Sequence, residues 1–183
     1  MQNKTWGRVF AGIGIVGAVL YFVAFYPGFM SPDTIDQYRQ ASTGKFDDWH
    51  PIAMALWWSV LLKIVDGPQL MLAFQLILYW SSAFLIAKSL QRVYGLATML
   101  LFLVAPFLIN FSGYVIKDAQ MALSWLTVGA ILFNVYTQKR KPNRVEVLIS
   151  GVLLVYGVLV RIDALPGFIP LAALWVLVVF RNK

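Results

Sequence analysis

Long runs of apolar residues alternate with short polar segments along the whole chain. A helix needs about 20 mainly apolar residues to cross a bilayer. Six stretches meet or approach that length: Val9–Pro27, Pro68–Ala87, Gly95–Gly113, Ala119–Tyr136, Val145–Val160 and Ala164–Phe180. A seventh stretch, Ile52–Val65, makes only about 21 Å of helix, which is short of the roughly 30 Å hydrocarbon core. The pattern predicts an all-α polytopic protein, with six transmembrane helices in one membrane domain covering residues 1–183.

The basic residues are distributed unequally between the two sides that six crossings define. With Ile52–Val65 kept on one side, the side of the termini holds ten of the 15 lysines and arginines: Lys4, Arg8, Lys88, Arg92, Lys139, Arg140, Lys141, Arg144, Arg181 and Lys183. The positive-inside rule assigns such an excess to the cytoplasm. We therefore predict a multi-pass protein of the cell (inner) membrane with both termini cytoplasmic. The short apolar stretch is then an external juxtamembrane or re-entrant helix.

The acidic residues show the opposite distribution. All the aspartates fall on the predicted external side, whereas the single glutamate, Glu146, lies on the cytoplasmic side. Because acids contribute little to orientation, this clustering needs its own explanation. The hypothesis that follows is an external site lined with carboxylates, located mainly in the loop 31–67.

The first part of this loop has the signals of a helix. Ser31 suits the N-cap, Pro32 the first helical position and Gly44 the C-terminal end. Four polar residues recur between them at i, i+3, i+4 and i+7: Asp33, Asp36, Gln37 and Gln40. The spacing predicts an amphipathic helix lying on the membrane interface. An aspartate in the first turn also stabilises its helix by about 0.3–1 kcal/mol, so Asp33 has a structural explanation as well.

A compact polar run follows where the chain returns to apolar sequence. Asp47, Asp48 and Trp49 precede His50, the only histidine of the chain. Adjacent acids, an aromatic ring and an imidazole at such a boundary are typical of places where pKa values are tuned for function.

Composition narrows the classes of function. Only 13% of the residues are charged and the mean hydropathy is +0.73, whereas soluble domains carry about 25% charged residues. The absence of cysteine and the single histidine exclude a thiolate or multi-histidine metal site. The net charge of +7 is spread over helix ends, which does not favour nucleic acid as a partner. The span centres carry no charge and show no polar stripe, which argues against an ion-coupled transporter or a channel.

The order of motifs in the external loop resembles that of the GT-C integral-membrane glycosyltransferases. An acid follows the first span, then a helix bearing a tyrosine, then G-K-F-x-D-W-H-P before a short apolar helix. Protein O-mannosyltransferases show a similar order of an acid, G-R-F and D-x-H-P-P. The stretch P-G-F-M-S-P-D-T-I-D-Q-Y is similar to that of bacterial members with no assigned acceptor. The chain departs from the pattern in having Ile52 where the second proline of H-P-P stands, and family members are usually much longer.

The resemblance implies transfer of a sugar, with inversion, from a polyprenyl-phosphate donor to a hydroxyl acceptor on the extracytoplasmic face. Asp33 matches the family's acid and is the expected catalytic base. Asp36, Tyr38, Asp48 and His50 are expected to bind substrate or shape the site. No cofactor is required by this chemistry, although the acidic loop offers carboxylates that would accept a divalent cation with little selectivity.

Two further ionisable pairs lie at the predicted external ends of later spans. Lys117 and Asp118 begin the fourth span, and Arg161 and Asp163 lie between the fifth and sixth. Ionisable residues at this depth are functional candidates, because their desolvation is costly. Under the resemblance, the two cations would bind the leaving lipid phosphate. The structural alternative is that they reach lipid headgroups and pair with the neighbouring aspartates.

A non-catalytic role is the alternative to an enzyme. The chain would then be an accessory subunit, a flippase for lipid-linked sugars or a truncated, inactive transferase. The expected partners are a polyprenyl-phosphate-linked sugar and membrane lipid, together with a partner subunit or a second copy of the chain.

Overall fold

The computed structural model describes residues 4–47 and 49–180, and the helical class predicted from the sequence is confirmed. The helices of the described chain are α1 (Lys4–Phe25), α2 (Pro32–Thr43), α3 (Ala53–Leu62), α4 (Gln69–Ser89), α5 (Arg92–Val104), α6 (Pro106–Gly113), α7 (Lys117–Thr137), α8 (Arg144–Val160) and α9 (Leu165–Val179). A short 3-10 turn, Ile162–Ala164, precedes α9. Two short strands, β1 (Phe29–Met30) and β2 (Tyr114–Val115), pair in parallel.

The helices α4 and α7 form the centre of the bundle. Both are buried along much of their length, and α1 and α5 pack on α4 while α8 and α9 pack on α7. Consecutive long helices run in alternating directions. The connections of the bundle therefore gather at two ends. The acidic end contains β1, α2, α3, β2 and the 3-10 turn, and the basic end contains the connections 90–91 and 138–143.

The central pair is held by three polar layers that repeat every seven residues. Gln120 Nε2 donates to Gln75 Oε1 at 2.8 Å, the Ser82 and Thr127 hydroxyls lie 2.9 Å apart, and Asn134 Nδ2 donates to Ser89 Oγ at 2.9 Å. Each layer joins residues 45 positions apart, so α4 and α7 run parallel. A seven-residue repeat is the signature of left-handed, coiled-coil-like packing. The expectation that no span carries a polar stripe was therefore wrong, because these polar residues face each other inside the bundle.

The predicted third span, Gly95–Gly113, is broken in the structure. The helices α5 and α6 meet at 60°, and the break falls immediately before Pro106. Proline has no N–H to donate to the carbonyl of Phe102 and its ring crowds that turn. Two hydroxyls take the place of the missing donor, since Tyr21 Oη and Tyr79 Oη donate to Phe102 O at 2.9 and 2.5 Å.

The six predicted crossings are not all confirmed. Within the described residues, four helical segments are long and apolar enough to cross a membrane, or five if the bent α5–α6 pair counts as one span. The predicted span Val145–Val160 corresponds to α8, whose 17 residues make about 25 Å of helix. The short stretch predicted not to cross contains α3, which has 10 residues and is too short to span.

The surface of the bundle has the apolar character that lipid requires. Large side chains are exposed along α1, α8 and α9, among them Val23, Leu148 and Leu177. In water such continuous apolar faces would be unfavourable, whereas in a bilayer they contact chains of equal polarity. The chain is therefore a multi-pass membrane protein.

Single cysteines will test the predicted orientation of the two ends, because the chain has no cysteine of its own. Lys45 lies at the acidic end and Lys141 at the basic end, and both are exposed. We expect Lys45→Cys to react with a membrane-impermeant maleimide in intact cells, and Lys141→Cys only after permeabilisation. Reaction of both from the same side would contradict the alternating arrangement.

Tyr21 and Tyr79 both donate to the Phe102 carbonyl at the α5–α6 break, so their contributions to the free energy of unfolding should be coupled. Tyr21→Phe or Tyr79→Phe alone leaves one hydroxyl on the Phe102 carbonyl, so we expect each to cost less than about 1 kcal/mol of unfolding free energy. The double substitution leaves a buried carbonyl without a donor and should cost about 1–3 kcal/mol. Denaturant titration in detergent measures the three values. A double effect no larger than the sum of the single effects would contradict the shared role.

Candidate functional site

The two short strands bring two helix N-termini together at the acidic end. Met30 pairs with Val115, and each strand leads directly into a helix. Ser31 caps α2, accepting a hydrogen bond from Thr34 N at 3.2 Å, and Lys117 begins α7. The predicted N-cap at Ser31, the proline after it and the left-handed Gly44 at the end of α2 are confirmed. Because the strands are parallel and in register, the first turns of α2 and α7 are neighbours.

Lys117 links two of the predicted site residues. Its Nζ atom lies 3.6 Å from Asp33 Oδ2 and 3.2 Å from His50 Nδ1. The imidazole is buried, whereas 58% of the Asp33 side chain is exposed. An ammonium donates to both a carboxylate and a neutral ring nitrogen, so the contact with His50 requires the tautomer whose Nδ1 carries no proton. Asp33, His50 and Lys117 therefore meet, although 84 residues separate the first from the last.

Arg161 links the remaining pair. Its guanidinium forms an ion pair with Asp118, the residue after Lys117, and a second one with Asp163 at 3.2 Å. The ion pair between Arg161 and Asp163 is the one expected if these residues have a structural role, in which each cation pairs with its neighbouring aspartate. Lys117 and Asp118 are consecutive at the start of α7, so the two groups of contacts lie at the same helix end. We call their six residues together the ionic cluster: Asp33, His50, Lys117, Asp118, Arg161 and Asp163.

Part of the polar face of α2 is turned inward. Gln37 and Gln40 of that face are buried, as is Thr34, while Ile35 is 54% exposed. An interfacial helix would present its polar face to water, so this arrangement differs from the one expected. The reason is that α2 packs on α3, and the loop after α2 brings the Asp47 carboxylate to this face as a hydrogen-bond acceptor. Gln40 Nε2 donates to Asp36 Oδ2 at 2.8 Å and to Asp47 Oδ1 at 2.9 Å.

Asp36 belongs to the group of hydrogen bonds around Gln40 rather than to the ionic cluster. It forms an ion pair with Arg39 on the same helix. The hydrogen bond from Gln40, with help from the Arg39 charge, holds the pKa of Asp36 below its ordinary value. The ionised form accepts these hydrogen bonds and is therefore favoured.

Tyr38 connects α2 to the connection between α3 and α4. Its hydroxyl donates to Asp66 Oδ1 at 2.8 Å, and its ring packs on Trp58 with centroids 5.2 Å apart. The hydrogen bond to Asp66 raises the pKa of Tyr38, because the neutral phenol is the form that donates. The contacts give Tyr38 a role in holding α2 and α3 together.

Three further points concern Asp48, the possible cation site and the buried glutamines of α2. Asp48 lies outside the described residues. Within the described ranges, the structure contains no group of three or more histidine or acidic side chains arranged to hold a metal ion. Gln37 Nε2 and Gln40 Oε1 are buried without a hydrogen-bond partner among the described atoms.

Gln75 and Gln120 were not recognised from the sequence. They lie directly beneath the strand pair, and Gln75 Nε2 donates to the carbonyls of Ser112 and Tyr114 at 2.6 and 2.9 Å. The signal that would have found them is the seven-residue spacing of Gln75, Ser82 and Ser89, repeated in Gln120, Thr127 and Asn134.

No protein-family model matches the chain, and neither the curated proteins nor the solved structures include a match. The geometry of the acidic end is therefore the basis for a functional proposal.

The pKa of Asp36 should respond to its amide partner. We expect Gln40→Met to raise the pKa of Asp36 towards its ordinary value, because the hydrogen bond that favours the carboxylate is lost. Carbon-13 NMR titration of labelled aspartate in detergent measures the change. The folded-state pKa is lowered, so the stabilisation is present above the ordinary pKa and disappears as the pH falls through the folded-state value. An unchanged Asp36 titration in Gln40→Met would contradict this cause.

Proposed function

We propose that the protein is a glycosyltransferase of the GT-C type, which moves a sugar from a polyprenyl-phosphate donor to a hydroxyl acceptor at the acidic end. The observation that carries the proposal is the ionic cluster. The acid matched to the family's base, Asp33, lies 3.6 Å from Lys117, which the same resemblance makes a candidate ligand for the phosphate. His50 contacts Lys117, and Arg161 pairs with Asp118, the next residue of α7.

The chemistry assigns different tasks to the acid and to the cations. The Asp33 carboxylate accepts the proton of the acceptor hydroxyl as its oxygen attacks the anomeric carbon. The bond from that carbon to the phosphate oxygen breaks, and the phosphate leaves with the electron pair. Lys117 and Arg161 stabilise the charge that develops on the phosphate, Lys117 as a point charge and Arg161 as a fork of N–H donors.

The position of the cluster suits a lipid-linked donor. It lies where α7 begins and α8 ends, beside the exposed apolar faces of the bundle. A polyprenyl chain would remain in the bilayer while its phosphate reached the two cations. The ion pairs with Asp33, Asp118 and Asp163 hold these cations in place before the donor arrives, and the flexible lysine can exchange its carboxylate partner for a phosphate oxygen.

One observation favours the non-catalytic alternative. Both cations of the cluster already have carboxylate partners, so the cluster has the composition of an electrostatic clamp that joins α2, α7 and the turn before α9. An accessory subunit would use such a clamp to hold its acidic end in one shape. This candidate predicts a folded protein without turnover.

Release of polyprenyl phosphate from a panel of polyprenyl-phosphate sugars tests the proposal directly. We expect turnover by the purified wild-type protein in lipid and a loss of roughly 100-fold or more in Asp33→Asn, because general-base catalysis contributes about 10²–10⁴-fold. Asp47→Asn is the matched control. Asp47 lies in the same loop and accepts from Gln40 and from Trp49 N, outside the ionic cluster, so turnover should stay near the wild-type rate.

Two results would count against the enzyme. Absence of turnover with every donor, for a folded wild-type protein, would favour the accessory subunit. Equal losses in Asp33→Asn and Asp47→Asn would show that the carboxylate of Asp33 has no special part in the reaction.

A further inference from the structure

We propose that Gln75 is a positioning residue, which holds Asp33 and Lys117 at their working separation through hydrogen bonds to the strand pair. The inference rests on the proposed function for its catalytic consequence, although its structural part can be tested alone. Gln75 lies within α4 and is fully buried. Its side-chain amide bonds to backbone carbonyls and to Gln120, so its effect on the ionic cluster is transmitted through the backbone.

The amide of Gln75 donates to the Ser112 carbonyl, which the end of α6 leaves without its helical partner, and to the Tyr114 carbonyl of β2. The Ile116 N–H would bond to Ser112 O in a continuing helix, but it bonds to Tyr114 O at 3.1 Å. Gln75 Nε2 donates to Ser112 O at 2.6 Å and to Tyr114 O at 2.9 Å. Carbonyl groups buried in a bilayer must find a donor inside the protein. One side chain therefore fixes the path of the backbone between α6 and α7.

Gln120 determines which way this amide points. Its Nε2 donates to Gln75 Oε1 at 2.8 Å, and Tyr156 Oη approaches Gln120 Oε1 at 3.4 Å. Carbonyl oxygens only accept, so Gln75 must turn its nitrogen to the backbone and its oxygen to Gln120. Gln120 is three residues after Lys117 in the first turn of α7. The pair of glutamines thus joins α4 to the beginning of the helix that carries the lysine.

The strand pair transmits this position to Asp33. Tyr114 and Val115 of β2 pair with Phe29 and Met30 of β1, and β1 leads through Ser31 into the first turn of α2. Displacement of β2 would move β1, and with it the carboxylate of Asp33 relative to Lys117. A misplacement of about 1 Å at a reacting centre can cost 10²-fold in rate. The buried amide of Gln75 is thereby the common support for both halves of the catalytic pair.

A disulfide between the strands measures their pairing without reference to activity. Phe29 and Tyr114 are register partners, both side chains are exposed, and the chain has no cysteine. Neighbouring strands lie about 4.8 Å apart, which is within the usual Cα separation of disulfides. We expect Phe29→Cys/Tyr114→Cys to oxidise readily with Gln75 present. Oxidation should be slower by about fivefold or more with Gln75→Met, since the loss of even one hydrogen bond corresponds to about that factor.

Ser82→Ala provides the matched control. Ser82 lies seven residues further along α4 and bonds to Thr127 in the next polar layer. Its loss also weakens the α4–α7 pair but leaves the carbonyls of β2 untouched. We therefore expect the rate of disulfide formation in Ser82→Ala to match that of the parent. An equal slowing in Ser82→Ala and Gln75→Met would overturn the specific role of Gln75.

The activity arm adds rescue by the disulfide. Gln75→Met should lower the turnover of the donor by about tenfold or more, and oxidation of the cysteine pair in that background should restore most of it by replacing the lost constraint. Reduction should remove the rescue. Oxidised protein that turns over no faster than reduced protein would overturn the positioning role, because loss of pairing would then not be the cause of the defect.

The disulfide rates separate this inference from the proposed function. If the wild type turns over no donor, the proposed function fails. The rates of disulfide formation, measured in lipid vesicles, still test the role of Gln75 in strand pairing. If Gln75→Met does not fold, Gln120→Met is used, which keeps the donor to the backbone and should slow oxidation to a smaller degree. A rate in either variant equal to that of the parent would overturn the inference.

Discussion

The structure depends on one constraint, which is that a backbone polar group inside a bilayer must find its partner within the protein. The bent pair α5–α6 leaves backbone carbonyls without their helical donors at two places, its middle and its end. At its middle, Pro106 leaves the Phe102 carbonyl without a donor, and Tyr21 and Tyr79 supply hydroxyls. At its end, the carbonyls of Ser112 and Tyr114 are served by Gln75. Tyrosine hydroxyls from α1 and α4 and one amide from α4 therefore supply donors where this pair departs from a regular helix.

The same constraint connects packing to the acidic end. Of the three polar layers between α4 and α7, the one nearest the acidic end, Gln75 with Gln120, supports β2, and β2 pairs with β1. The other two layers, Ser82 with Thr127 and Asn134 with Ser89, keep the helices parallel and in register. Interhelical hydrogen bonds of this kind contribute about 0.6 kcal/mol each on average. Their effect is thus more on register than on total stability, and register decides where Asp33 meets Lys117.

Electrostatics at the acidic end follow from this geometry. Lys117 and Asp118 are adjacent in the chain, but α7 directs them to different partners, Asp33 and Arg161. Each of the two cations therefore has a carboxylate beside it. Such ion pairs can receive a phosphate by exchange of partners, and they can equally serve as a clamp. The chemistry of the groups allows both, and turnover distinguishes them.

The sequence by itself determined the helical class, the membrane character and the signals that begin and end α2, because these depend on local composition and on the N-cap, proline and glycine at the helix ends. It also predicted that Asp33, Asp118, Asp163, Lys117 and Arg161 share one end of the bundle, because helices of membrane length fix which loops lie together. Tertiary structure alone decided three other features: the 60° break before Pro106, the inward polar face of α2, and the meeting of Asp33, His50 and Lys117. Each depends on groups distant in the chain. A broken helix needs Tyr21 and Tyr79 from other helices, a buried polar face needs Asp47 returned to it, and an ion pair across 84 residues needs two strands in register. Local periodicity carries no information about such partners, since the free energy that selects them arises only when the helices pack.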